Sequence, residues 1–456
     1  FDDEIIEFEF RQDFIAGPSG AAESQEVTAP LVFVGYGLVS DKFEIDDYAG
    51  LDVEGAIVVT LSGRPDNLPS EESAHLNRQK SMNAAERGAA GMITIHTPER
   101  EAISPWERSL MYLRTPRMGW LEEDGSPHGA TSAIKGSASL HFDAAARLFD
   151  HSGRSADSIF SQMEAGESPA GFEMEGVATM RRHSSHEEIQ SPNIIGMIEG
   201  SDPDLKHEYV IYTAHSDHIG VIPDFSRDNN INNGALDNAS GVAIMIETAR
   251  MFQELADRGQ GPARSIIFAA VTAEEKGLLG ADYFANNPTV PLESIVANVN
   301  LDMPVLLYPF ADIVAFGAEH STLGETVEKA AGEFGIALTP DPMPEQAIFT
   351  RSDHYALVRQ GIPAVFLMTG FTSKDEELDG GEIWGQFFAE QYHRPGDDLV
   401  TLNEVYGGIR YDSAALFANI NFRIGKEIAN SEERPHWLAE SYFGQVFAGG
   451  EDSIRH

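Results

Sequence analysis

The sequence contains no cysteine. Disulfides, thiolate catalysis and cysteine-ligated zinc are therefore excluded, and any metal site must be built from histidine and carboxylates. Positive charge is scarce as well: 31 Lys plus Arg stand against 73 Asp plus Glu, a formal net charge of −42, and only eight of the cations are lysine. A field of that sign repels polyanions, so no nucleic-acid partner is expected. The surplus is spread along the chain as a solvated acidic surface, for which adaptation to salty surroundings is the favoured elaboration. No apolar run approaches bilayer length, because the longest are broken by Gly or charge, so no membrane span is expected. The opening Phe1-Asp2-Asp3-Glu4 lacks the basic and apolar regions of a signal peptide.

At 456 residues the chain exceeds what one hydrophobic core normally serves, and two domains are expected. From Ala29 to about Pro98, short β-rich runs (Leu31–Val34, Ala56–Thr60, Gly91–Ile95) alternate with turns, and Asn77 to Gly88 has helical composition. This predicts a small α/β or β-rich module. Ser152 to Glu173 is polar and reads as a surface excursion. From about Ser191 the texture changes to apolar runs at Tyr209–Thr213, Ser265–Val271, Ile295–Leu301, Ile313–Phe316 and Ala364–Met368. Between the first two, Ala239 to Asp257 carries Val242, Met245, Ile246, Ala249, Phe252 and Leu255 at helical spacing. Buried strands alternating with amphipathic helices predict an α/β fold, a mainly parallel mixed sheet sandwiched by helices. The expected domains are residues 1–185 and 186–456.

The polar residues of the second part gather where strands end, which is where open α/β sheets place ligands. Tyr209–Thr213 leads into His215-Ser216-Asp217-His218. His215 and Asp217 project from the same side of an extended chain, so the carboxylate can accept a ring N–H and orient an imidazole. Asp237, in GALDNASG, would by itself read as a helix N-cap. Ser265–Val271 then ends in Thr272-Ala273-Glu274-Glu275, and two adjacent carboxylates are costly to leave ionised without a cation. One as ligand and the other as proton acceptor resolves that cost. Ile295–Leu301 delivers Asp302, and Tyr392-His393-Arg394-Pro395-Gly396-Asp397 adds a second imidazole with Asp397 as an orienting partner. Two histidines, three carboxylates and a spare Glu suit zinc, with manganese or cobalt as substitutes. Five ligands are too many for one open ion but fit two ions sharing a carboxylate and a water.

The ordered set AHSDH, GALDNASG, TAEEKGLLG, NLDM and YHRPGDD resembles the zinc aminopeptidase family that includes glutamate carboxypeptidase and the transferrin receptor ectodomain, over roughly Ser191 to Ile424. The resemblance implies two zinc ions bridged by Asp237, with His215 and Asp302 on one and Glu275 and His393 on the other. It implies Glu274 as general base, Tyr392 as hydrogen-bond donor to the oxyanion, Asp217 behind the ligands, and a cis peptide at Asp237-Asn238. Upstream, VFVGYGL, DDYAGLDVEGAIVV and NAAERGAAGMITI resemble a protease-associated domain. The helices that commonly precede that domain are missing, and the expectation is a secreted or periplasmic, mature chain with its upstream segment absent.

The expected function is hydrolysis of a peptide substrate from its amino end. Lys276, Arg351, Arg359, Lys374 and Arg394 are scattered rather than clustered, which disfavours a carboxypeptidase. A glutaminyl cyclase with one zinc and a silent binding ectodomain are the alternatives, the latter disfavoured because every ligand position is filled. Ser352 in Ser352-Asp353-His354 lacks a nucleophile-elbow sequence, and Asp353 and His354 read as polar residues near the pocket. The charge itself generates a prediction. Self-repulsion at −42 is screened as salt rises, so the thermal midpoint should climb between low and molar NaCl; a flat or falling midpoint would refute an adaptive role for the acidic surface.

Overall fold

The computed structural model describes residues 5–111, 113, 115–129, 133–150, 152–222, 229–448 and 454–455. The chain divides into two compact units, Phe1–Ile189 and Gln190–His456.

The first unit is built on a six-stranded sheet, in the order β1-β5-β4-β3-β2-β6. The strands are β1 (Phe14–Ile15), β2 (Ser24–Phe33), β3 (Ile57–Leu61), β4 (Gly91–His96), β5 (Gly136–His141) and β6 (Phe172–His183). Strands β2 to β5 pair in parallel and the two edges are antiparallel. β3 is buried along its whole length, and its side chains alternate between two cores. Ile57, Val59 and Leu61 pack with Phe33, Ile95 and Phe149, while Val58 packs with Val32, Val34 and Met92. The helical stretch expected over Asn77 to Gly88 is two helices, α1 (Ser70–Arg78) and α2 (Lys80–Glu86). The expected surface excursion at Ser152 to Glu173 is a correction. It contains helix α4 (Ala156–Glu164), which follows α3 (Phe142–Phe149) and is capped by the Ser155 side chain. Of its apolar residues, Ala156, Ile159 and Met163 fall on one helical face and enter the core, and Phe160 packs against it partly buried.

The second unit holds a seven-stranded sheet, in the order β12-β11-β13-β10-β8-β9-β7. Its strands are β7 (Ile194–Ile198), β8 (Tyr209–His215), β9 (Ser265–Val271), β10 (Ile295–Leu301), β11 (Asp312–Phe316), β12 (Ala337–Thr339) and β13 (Ala364–Thr369). β8 lies between β9 and β10 and is parallel to both, and β10 is parallel to β13; β7 and β11 run antiparallel to their neighbours β9 and β13. The mainly parallel mixed sheet expected from the sequence is what forms.

Helices cover both faces. On one, Ile211 and Ile267 pack with Ala281 and Phe284 of α6 (Leu279–Asn286) and Ala356 and Leu357 of α7 (His354–Val358). On the other, Tyr212 and Phe268 stack at 5.3 Å, and Phe252 of α5 (Gly241–Asp257) meets both. Phe252 also packs at 4.6 Å on Phe422, which belongs to the long helix Tyr411–Asn430. The inward face of α5 is rotated from the one expected: Ile244, Met245, Thr248 and Phe252 are buried, whereas Ile246 is 63% exposed. Both Ile residues fit a helical period, and only packing chooses between them.

The long helix comes close to β8 at Gly425, where a Cβ would overlap the Tyr212 hydroxyl; that hydroxyl donates to the Asn421 carbonyl at 2.6 Å. Overpacking of this kind costs about 1–3 kcal/mol. Gly425→Ala should therefore lower the urea midpoint of unfolding, and an unchanged midpoint would show that the helix can shift freely.

Candidate metal centre

Because β10, β8 and β9 are parallel neighbours, their carboxyl ends open on one edge of the sheet. β8 ends on His215 itself, β9 runs into Glu274 and Glu275, and β10 stops one residue before Asp302. Asp237 arrives from the loop that leads into α5. His215 Nε2 lies 3.1 Å from Asp302 Oδ1 and 3.2 Å from Asp237 Oδ1. On the far side of Asp237, His393 Nε2 lies 3.2 Å from Asp237 Oδ2 and 3.4 Å from Glu275 Oε2. Two sets of donor atoms, each within 4.8 Å of one another, meet the requirements of a metal site: His215–Asp237–Asp302 and His218–Asp237–Glu275. Asp237 belongs to both.

The electrostatics follow from burial. Burial opposes charge on His215, yet Asp302, Asp237 and Glu274 outweigh it and raise its pKa well above the ordinary value. Burial also works against the Asp237 carboxylate, but His215 and His393 hold its pKa below the usual range. Glu274 is pushed the other way: burial raises it well above an ordinary carboxyl, His215 opposes, and Asp302, Asp353 and Glu275 add to the rise. A carboxyl raised above its ordinary range holds a proton more readily than an exposed one, which suits a group that takes up and returns a proton. Burial, then Asp237, raises Tyr392, which therefore stays a phenol able to donate. Its ring stacks at 3.8 Å on His393 and at 4.4 Å on Phe388.

Most of the candidate ligands lie on loops, and a second set of polar groups fixes the loops. Asp217 accepts the N–H groups of Glu274 (3.0 Å) and Glu275 (3.4 Å). The expectation that its carboxylate orients the His215 ring is corrected: Nδ1 faces the Asp217 backbone carbonyl at 3.1 Å, and the carboxylate is 3.9 Å away. Asp397 is likewise not the partner of His393. It accepts the N–H groups of Leu236 (2.9 Å) and Asp237 (3.0 Å), and burial pushes its pKa up to about 6 against those bonds. The Asp237-Asn238 peptide is cis, and the Asn238 amide ties the loop to both sides of Asp302. It donates to Leu301 O at 2.9 Å and accepts from Met303 N at 3.1 Å.

Ser352 donates to Asp302 Oδ2 at 2.5 Å and accepts from Asn300 Nδ2 at 2.7 Å, and Asn300 in turn accepts from Thr213 at 2.6 Å. Asp353 is fully buried with neither oxygen hydrogen-bonded, and burial pushes it up to about 8. His354 sits between the rings of Phe349 and Phe366, at 5.2 and 5.3 Å, and burial takes its pKa down to about 3. It is a core residue rather than a pocket residue, and the three do not form a relay. Sequence reasoning passed over His218, Asn238 and Ser352. His218 carried the one readable signal, a second imidazole three residues beyond His215 at a strand end.

A strand-edge cluster of imidazoles and carboxylates, on a mainly parallel sheet, defines the class: an α/β domain with a candidate two-ion centre. Comparison with known proteins gives the family. Residues 193–406 match the model of Peptidase family M28, and residues 27–128 match that of the PA domain. The peptidase family M28 match thus falls in the second unit, and the PA domain match in the first. Transferrin receptor protein 1 of Gallus gallus is 26% identical over 399 residues, 78% of this chain and 45% of its own length. Aminopeptidase NAALADL1 of Mus musculus is 36% identical over 143 residues, 31% of this chain and 17% of its own. The chain thus spans less than half of either relative. An aminopeptidase from Aneurinibacillus sp. strain AM-1 aligns with a TM-score of 0.47 at 20% identity, covering 93% of this chain and 79% of that one.

Asp397 offers a test of how the loop is held. Asp397→Ala leaves two buried N–H groups unpaired, each costing about 1–3 kcal/mol, and should loosen Asp237. We expect lower stability together with metal affinity weakened about 10–100-fold, as for loss of other supports of metal ligands. Chelator competition showing unaltered affinity would contradict the assigned role.

Proposed function

We propose that the chain is a zinc-dependent exopeptidase that removes residues from the free amino end of peptides. The observation that carries this reading is the pair of donor sets sharing Asp237, beside a Glu, Glu274, that belongs to neither set. Glu275 Oε1 and His218 Nδ1, buried and 2.7 Å apart, gather beside Asp237 in the second of these sets and support a fit to cations. His215 and Asp302 would hold one zinc, Glu275 and His393 the other, and Asp237 both; manganese or cobalt are substitutes. Two such ions, when bound, supply Lewis acidity toward a water and toward the scissile carbonyl.

The remaining work falls to the chain. Glu274 takes a proton from the attacking water and passes it to the leaving amine as the C–N bond breaks. Tyr392, kept a phenol by burial, donates to the oxyanion that forms meanwhile. Asp217 fixes Glu274 and Glu275 through their backbone N–H groups. The surplus of carboxylates at the sheet edge favours a substrate ammonium. Among the cations singled out in the sequence, Arg359 is already paired with Asp282 at 2.6 Å.

The test has two arms. Glu274→Gln should retain both ions by elemental analysis while turnover falls about 10²–10⁴-fold, whereas Glu275→Gln should lose one ion. A peptide should survive the enzyme when its amino end is acetylated and be cleaved when only its carboxyl end is amidated. An active Glu274→Gln variant sinks the base assignment, and cleavage that tolerates acetylation but not amidation sinks the aminopeptidase reading.

A further inference from the structure

Strand β10 is buried along its whole length and flanked by parallel neighbours on both sides, a setting that calls for apolar residues throughout. Asn298 and Asn300 interrupt its apolar run. With Asp302 they are spaced two apart, so the three side chains leave the strand on one face. The register sets Asn298 beside Ile211 and Asn300 beside Thr213 of β8. Asn298, Asn300 and Thr213 have no exposed surface, and polar groups so deep in a sheet are costly unless each is matched.

The hydrogen bonds among them all run one way. Asn298 Nδ2 donates to Thr213 Oγ1 at 3.0 Å, and Thr213 Oγ1 to Asn300 Oδ1 at 2.6 Å. Asn300 Nδ2 then donates to Ser352 Oγ at 2.7 Å, and Ser352 Oγ to Asp302 Oδ2 at 2.5 Å. The orientation of a side-chain amide follows from its network, and here one group dictates the whole network. A carboxylate can only accept. The single Ser352 hydroxyl hydrogen is therefore taken by Asp302, so Ser352 accepts from the Asn300 NH2. Asn300 must then turn its oxygen to Thr213, which gives its one hydrogen there and accepts from the Asn298 NH2. The mismatch falls at the far end. The Asn298 NH2 also donates to the Ile211 carbonyl at 3.1 Å, while its oxygen is buried with no partner. An orphan acceptor at the tail of aligned donors is what results when the charge at the head sets every direction.

We propose that Thr213 and Asn298 are positioning residues for Asp302. Through Asn300 and Ser352 they aim aligned dipoles at its carboxylate and hold Oδ2, while Oδ1 faces His215 at 3.1 Å. The inference rests on the reading of Asp302 as a ligand above. It adds that affinity for the ion served by Asp302 is set in part inside the sheet, at a hydroxyl that never touches the ion.

The test measures Zn²⁺ binding to the full chain by chelator competition. Thr213→Val nearly keeps the side-chain shape but cuts the series of bonds, and should weaken one of the two ions about 10–100-fold, as for other lost supports of a ligand. Thr213→Ser, which can make both bonds, should bind as the unmutated chain does. In a Ser352→Ala background the Thr213→Val change should weaken binding little further, because the route to Asp302 is already cut. A Thr213 that only packs the sheet would lower the thermal midpoint without this pattern. Unweakened binding by Thr213→Val, or losses that multiply in full with Ser352→Ala, overturn the proposal. Neutron diffraction from the unmutated, perdeuterated protein reads the directions without any variant. Deuterons on Thr213 Oγ1 toward Asn300 and on Asn298 Nδ2 toward Thr213 support the proposal; a Thr213 deuteron pointing to Asn298 overturns it. An unmutated chain that binds no ion removes this proposal and the exopeptidase reading together, whereas unweakened binding by Thr213→Val removes this proposal alone.

Discussion

The second unit is organised around one buried carboxylate. Asp237 lies out of water between His215 and His393, and taking such a charge out of water costs several kcal/mol unless its partners are well placed. Its position is accordingly fixed from three directions. Asp397 holds the backbone on the approach, Asn238 ties the exit to the strand that delivers Asp302, and the sheet places His215. Regular helix could not do this. Asp237 and Asn238 have non-helical backbone angles, φ −111, ψ 87 and φ −136, ψ 33, and α5 becomes regular only from Gly241.

The same requirement accounts for three positions of backbone strain. Non-glycine residues with positive φ include Ala273 (54°), Met303 (42°) and His393 (58°). Ala273 directly precedes Glu274, Met303 directly follows Asp302, and His393 is itself a candidate ligand. Each such conformation costs about 1–3 kcal/mol and persists only where surrounding contacts over-determine it. Here the contacts are visible: the Met303 N–H bonds Asn238, the N–H groups after Ala273 bond Asp217, and the His393 ring lies on Tyr392. Parallel strands aim the chain at the edge, and strained turns then rotate individual side chains into the cluster.

This division of labour sets what the sequence could reveal. Runs such as Ser265–Val271 and Ile295–Leu301 are apolar because parallel strands are buried on both faces, so their limits, and the acids just beyond them, were readable. The supports were not. Asn238, Ser352 and Asp397 act through bonds to segments far away in the chain, and nothing in their local pattern separates them from ordinary loop polars. Asp397 shows the hazard: four residues from His393, it looked like that ring's partner, yet it serves Leu236 and Asp237. Ile246 and Ile244 show another, since two apolar residues two apart lie on different faces of a helix and periodicity alone ranked the wrong one. In the first unit, the polar stretch holding Ala156, Ile159 and Met163 hid a core helix because three apolar residues suffice when they share one face.

Ser352, Asp353 and His354 show how far adjacent residues can diverge once the chain folds. Ser352 completes a hydrogen-bonded chain from Thr213 through Asn300 to Asp302, so it fixes the carboxylate of a candidate ligand from behind. His354 turns into an aromatic core, where an unprotonated ring is all that burial permits. Asp353 lies between these fates, buried, unpaired, and pushed up to about 8 by that burial, with Asp302 adding to the shift and His215 opposing it. At neutral pH such a carboxyl carries its proton. It therefore adds no charge to an edge where Asp237, Glu275 and Asp302 already crowd together. The cluster tolerates so many acids because the fold leaves some of them neutral, and burial decides which.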